Sequence, residues 1–164
     1  MKTAPTAFAR RLRQHHGIEH ATVTLLSRRL PGVFIAARSD LQGFMVYGDV
    51  DAASLRAAVE DALTRLQHGD QWLAVHPHCG TNLVVAGLLS GGAAWLLSSG
   101  RQRPWWDRLA SAILGAMLGL LVAPPASRWA QENITTSADV SRLRVDDVVK
   151  LNRGLVTQHR VVIV

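Results

Sequence analysis

The chain has 164 residues, 48% of them apolar, and a formal net charge of +6. Its eighteen Lys and Arg are scattered among acidic residues rather than gathered into one block, which argues against a nucleic-acid partner. The lone cysteine, Cys79, excludes an intramolecular disulfide and gives no reason to expect an oxidising compartment.

The N-terminal segment is basic but lacks the apolar core of a secretory signal, so any membrane insertion is expected to use internal segments. From Thr6 to Arg29 the spacing of Phe8, Leu12, Ile18, Val23 and Leu26 predicts a helix, ended by Pro31-Gly32. Val33 to Arg38 and Gly43 to Tyr47, joined by Ser39 to Gln42, read as a β-hairpin. Asp51 is placed to cap a second helix reaching about His68, with Leu55, Ala58, Val59, Ala62, Leu63 and Leu66 as its apolar stripe and Gly69 as its stop. Trp72 to Val75 reads as a short apolar strand that leads into the loop His76-Pro77-His78-Cys79-Gly80-Thr81-Asn82.

Two chargeless stretches follow, from Leu83 to Ser99 and from Leu109 to Ala123, with Arg101, Arg103, Asp107 and Arg108 confined to the connection. As helices they measure roughly 25 and 22 Å, a little under a hydrocarbon core of about 30 Å. Trp95, Trp105, Trp106 and Trp129 stand where interfacial aromatics belong. Gly87 and Gly91 in the first stretch, and Gly115 and Gly119 in the second, repeat at the four-residue spacing that lets helix backbones approach closely in lipid. The same ridges offer contacts to another copy or to other membrane proteins. Pro124-Pro125 is expected to end the second helix, after which Ile134 to Ala138, Leu143 to Val149 and Arg160 to Val164 have strand-like composition and could complete the sheet begun by the hairpin.

The fold expected is therefore an α+β membrane protein, a small α+β domain with a two-helix transmembrane hairpin inserted. Residues 1–82 supply the first helix, β-hairpin, second helix and motif loop; 83–99 and 109–125 the transmembrane hairpin; and 126–164 the β-rich completion of a single domain. Two spans return both flanks to one side of the bilayer. The lone thiol and the untargeted N-terminal part favour a bacterial inner membrane with the globular part in the cytoplasm.

His15-His16-Gly17-Ile18-Glu19-His20 contains H-x-x-E-H on the first predicted helix. His16 and His20, four residues apart, project from one helix face and can share a metal ion. Glu19 lies beside them, as a general base for a bound water, as a ligand, or as an acceptor orienting a ligand histidine. His76, His78 and Cys79 are the nearest suppliers of further ligands: His16, His20, His76 and Cys79 would make a closed tetrahedral site, and one donor fewer would leave room for water. Mixed His and Cys ligation suits zinc. His68 and His159 lie outside both clusters and read as surface residues.

His16 to Ala21, followed far downstream by His76 to Asn82 and then by an apolar stretch, resembles the HGxEHK…HPxCGTS signature of the YqhQ-like bacterial membrane proteins. It is more similar to a smaller, related group of uncharacterised bacterial membrane proteins with an HHxxEHA…CGTN pattern. Ala21 and Asn82 depart from the Lys and Ser of the larger group. The resemblance covers about half the chain and implies roles for His16, Glu19, His20, His76, Cys79, Gly80 and Thr81, with His78 at a variable position. It implies no substrate. Three readings stay open: a structural or regulatory zinc site, a zinc-dependent hydrolase with Glu19 as base, and a metal-independent membrane scaffold.

Overall fold

The structure, a computed structural model, describes residues 6–100, 104–151 and 157–164. Arg101 and Arg103, expected in the basic connection, lie outside the described residues. Among the described residues the architecture is α+β, with four α-helices and a four-stranded antiparallel sheet. It divides into two compact units, Met1–His76 with Glu132–Val164, and Pro77–Gln131.

In the first unit, α1 (Ala7–Arg29) begins at Thr6, whose hydroxyl accepts from the Ala9 N–H, and closes with Arg28 and Arg29 in its last turn, where positive charge meets the negative end of the helix. Ile18, Ala21, Leu25 and Leu26 bury one of its faces. Strands β1 (Ala36–Asp40) and β2 (Gly43–Tyr47) form the hairpin. β1 starts three residues later than its composition suggests, and the turn is tightened to Leu41-Gln42 by the Asp40 carboxylate accepting from the Gln42 N–H. Asp51 caps α2 (Ala52–Gln67) through the Ser54 N–H, and all six residues of the expected stripe are buried. Strands β3 (Val145–Leu151) and β4 (Gln158–Ile163) complete a sheet of order β1-β2-β4-β3. Phe44, Val46, Val161 and Ile163 line its inner face in one core with the apolar sides of α1 and α2.

Three expectations fail here for local reasons. Gln71–Ala74 is a 3-10 turn rather than a strand, because Leu73 and Ala74 are both buried and only a helical turn puts successive side chains on one side. Ile134 to Ala138 forms no strand: Gln131–Thr135 is a π-turn, and the carbonyls after it are taken by α1. His159 is not a surface residue. It alternates with Val161 and Ile163 on the inner face of β4 and is fully buried, with neither ring nitrogen hydrogen-bonded.

In the second unit, α3 (Gly80–Ser98) and α4 (Trp105–Ala130) pack side by side, and Gly80–Ser98 and Trp105–Thr135 are long and apolar enough to cross a membrane. Gly115 and Gly119 lie directly on α3: a Cβ at either would fall 2.5 Å from the carbonyl of Ala93 or Leu89. Gly87 and Gly91 do not meet them, and have nothing within 4 Å of a built Cβ. Only one of the two glycine ridges therefore closes the hairpin. Pro124 and Pro125 do not end α4; they sit on its exposed side, and their missing N–H groups leave the Leu120 and Leu121 carbonyls without helical donors. The helix is held on either side of them, by Gly115 and Gly119 on α3 and by the Gln131 side-chain amide donating to Asn82 at 2.7 Å.

Two outcomes follow from this packing. Burial, and then the nearby Lys150, hold the His159 imidazole below its ordinary pKa, against a weaker pull from Asp51. The folded protein thus keeps His159 neutral while the unfolded chain takes up a proton near pH ~6.5, so this contribution is complete above that pH and is lost as pH falls below it. His159→Leu removes two unpaired buried nitrogens, and denaturant titration should show it more stable by about 1 kcal/mol, with a flatter acid limb. In detergent, Gly119→Leu should lower the melting temperature sharply by forcing α3 and α4 apart, while Gly87→Leu leaves it nearly unchanged.

Candidate metal centre

The H-x-x-E-H segment falls in the middle of α1, where His15, Gly17, Ile18, Glu19 and His20 are all buried and His16 is half-buried. His15 turns away from its neighbours and donates its Nδ1 hydrogen to the Asp40 carbonyl at 2.7 Å. His16 and His20 stand one turn apart and meet edge to face, with ring centroids 4.3 Å from each other.

Both of these rings are oriented through the same atom. His20 Nδ1 lies 2.8 Å from the carbonyl of Ala74, and His16 Nδ1 lies 3.0 Å from the carbonyl of Thr135. A carbonyl oxygen can only accept, so each Nδ1 carries a hydrogen and, in the neutral ring, Nε2 carries the lone pair. Metal-ligating histidines are fixed in this way, with the tautomer set by the bond that the other nitrogen makes.

Cys79 is the N-cap of α3, and its sulfur accepts from the Thr81 N–H at 3.4 Å and lies 3.4 Å from the Thr81 hydroxyl. The positive end of a 19-residue helix favours negative charge at this position. Asn82 donates to the Pro77 carbonyl at 2.5 Å and accepts from Gln131, which fixes the loop that carries the thiol. One ligand atom each from His16, His20 and Cys79 lie within 4.8 Å of one another, a group that can hold a metal ion.

His76 stands outside that set, with its ring centroid 5.7 Å from that of His20. Glu19 is 8% exposed, on the same turn of α1 as His20. His78 and His68 are exposed. The residues that shape the centre without ligating, among them Arg13, Gly17, Ala74, Asn82 and Thr135, were not singled out for that role by composition or spacing. Ala74 and Thr135 act through backbone carbonyls, which no side-chain pattern reports. Gly17 and Asn82 left a trace, inside the H-G-x-E-H string and the CGTN pattern.

Comparison with known proteins places the chain in a family. The DUF6391 family, a domain of unknown function, matches residues 11–148. The chain belongs to that family. An uncharacterized protein of Picosynechococcus sp. is 37% identical to it, over 77% of this chain and 66% of its own length. The chain thus spans just under two thirds of that relative. No solved structure matches. The DUF6391 match takes in α1 from Arg11 onward, the Cys79 loop and both long apolar helices.

The geometry at Cys79 makes a spectroscopic prediction. Cobalt(II) added to the protein should show thiolate-to-metal charge-transfer absorption, and Cys79→Ser should abolish that band while retaining weaker histidine-bound cobalt.

Proposed function

We propose that this protein is a membrane-anchored metal protein whose α1 and motif loop hold one zinc ion through His16 Nε2, His20 Nε2 and Cys79 Sγ, with His76 as the fourth ligand. The observation that carries this reading is the convergence of three donor atoms of the right kinds on one place, two of them with their lone pairs already fixed by backbone carbonyls. Zinc suits the mixture of imidazole and thiolate better than the harder cations, which take oxygen ligands.

Anchoring is supported by the second unit. The outer faces of α3 and α4 present Leu83, Val84, Leu88, Leu96, Ile113, Met117 and Leu121 to the surroundings, with Leu88 71% and Leu121 73% exposed. A patch of this extent is unfavourable in water and at home in hydrocarbon. Trp95, Trp105 and Trp106 cluster at the tip of the hairpin and Trp129 lies at its root, all exposed, as two interfacial belts would require. We place the hairpin in the bacterial inner membrane with the α+β unit in the cytoplasm. The outward Gly87/Gly91 ridge is the part of the hairpin left for a second copy or another membrane protein.

A second reading is favoured by Glu19, buried on the same turn as His20, and by His76 standing outside the closest set. If His76 stays off the ion, a fourth position takes water, and Glu19 is placed to accept its proton in a hydrolysis of a carbonyl or phosphoryl substrate.

Metal analysis of detergent-purified protein prepared without chelator tests the first reading. One zinc per chain, lost in His20→Ala, is the expected result; wild-type protein without zinc would leave a metal-independent scaffold. Glu19→Gln divides the two metal readings: a hydrolase keeps zinc and fold but loses hydrolysis of peptide, ester or phosphoester substrates, whereas a structural site registers no such loss.

A further inference from the structure

We infer that Arg13 and Gly17 are positioning residues of this centre, holding the segment after the π-turn so that the Thr135 carbonyl fixes His16 with its Nε2 toward the ion; the inference rests on the metal reading above.

The two ligand histidines depend on carbonyls with different support. Ala74, the acceptor for His20, belongs to a 3-10 turn packed into the core, where Leu73 is fully buried and Ala74 nearly so. Thr135, the acceptor for His16, is the last residue of a π-turn, with irregular chain beyond it. Regular secondary structure does not hold that carbonyl in place, and α1 contributes contacts that do.

Five hydrogen bonds and one close backbone approach, all from one stretch of α1, do so. The Arg13 guanidinium donates to the Thr136 carbonyl from Nε at 3.2 Å and Nη2 at 3.0 Å, and to the Asn133 carbonyl from Nη2 at 3.0 Å. These acceptors bracket Thr135 on both sides. The Arg13 carbonyl in turn accepts from the Ser137 N–H at 2.9 Å. Gln14 donates to the Asp139 carbonyl at 2.6 Å, extending the attachment along the chain. Finally, Gly17 lets the segment lie against the helix: a Cβ there would sit 2.3 Å from the Ser137 carbonyl oxygen, and backbone cannot yield as a flexible side chain would. Arg13, His16, Gly17 and His20 follow the i, i+3, i+4, i+7 spacing of one helix face. The ligands and the residues that seat their support therefore share a single stripe of α1.

Without the Thr135 acceptor, the His16 ring exchanges its hydrogen between nitrogens and turns about a soft torsion. Loss of such an orienting partner typically weakens metal affinity by about 10–100-fold. Arg13→Ala and Gly17→Ala act on the same carbonyl by unrelated routes, one by removing donors and one by adding bulk, and both should lower zinc affinity by about that factor. Arg13→Lys, which keeps the charge and one donor direction, should fall between Ala and wild type.

The test is competitive zinc titration of the full-length protein in detergent, combined with 15N NMR of the histidine rings in the metal-free form and circular dichroism as a check on folding. In wild type both His16 and His20 should carry hydrogen on Nδ1. In the variants His16 should become a mixture of tautomers while His20 stays as it was, a difference that a general loss of structure would not produce. Variants that bind zinc as tightly as wild type, or that weaken binding with the His16 tautomer unchanged, overturn the inference and leave the metal centre standing. Wild-type protein that binds no zinc overturns both. Should Arg13→Ala and Gly17→Ala fail to fold, the folded Arg13→Lys protein decides through the His16 tautomer alone: a mixture supports the inference, and an unchanged Nδ1–H refutes it.

Discussion

Two hydrogen bonds from imidazole Nδ1–H groups to backbone carbonyls set the character of this molecule. They join residues 54 and 119 positions apart, His20 to Ala74 and His16 to Thr135. Ala74 precedes the first long apolar helix by six residues, and Thr135 closes the π-turn that follows the second. Along the chain, one of these acceptors comes shortly before the first long apolar helix and the other shortly after the second. A neutral hydrogen bond contributes only about 1 kcal/mol of net stability, so the importance of these two lies in direction: they decide which nitrogen of each ring has a lone pair to offer.

The hairpin shows the same economy of means applied to packing. In the membrane setting proposed for it, with no water to drive apolar surfaces together, helices associate through close backbone contact. Gly115 and Gly119 provide that contact on α3, while large apolar side chains occupy the outer faces. Pro124 and Pro125 are tolerated because the packing of α4 on α3 is fixed above and below them. Their exposed position keeps the rings out of the contact, though it leaves two carbonyls that the helix itself does not satisfy.

Much of the fold was legible from the residues. The periodicity of α1 and α2, the capping by Asp51, the β-hairpin and the two chargeless helices all follow from local chemistry that tertiary structure did not need to override. Where reading failed, the cause was non-local or ambiguous. A four-residue apolar run at Trp72 fits a strand or a helical turn equally well, and the choice fell to the burial of adjacent Leu73 and Ala74. A proline pair forbids two hydrogen bonds but does not forbid a helix whose neighbours hold it straight. His159 read as surface because it lies outside both clusters; strand alternation puts its polar neighbours Gln158 and Arg160 on the opposite face and drives His159 inward. At the candidate centre, helical spacing sufficed for His16 and His20, and clustering of rare residue types pointed to Cys79. The supporting carbonyls were invisible, since every residue has one.

The contrast between His159 and His16 separates burial from site formation. His159 is the more deeply buried, yet both of its nitrogens lack partners and it belongs to no group of three or more ligand-type side chains among the described residues. It costs the fold stability and orients nothing. His16 is half-exposed, but its Nδ1 is committed to a carbonyl and a ligand atom of its ring lies near another imidazole and a thiol. A buried polar group without partners is a penalty that the rest of the core must outweigh. A polar group whose one free degree of freedom has been removed by a backbone bond from far along the chain is arranged for something beyond its own solvation, and on α1 two such groups stand one turn apart.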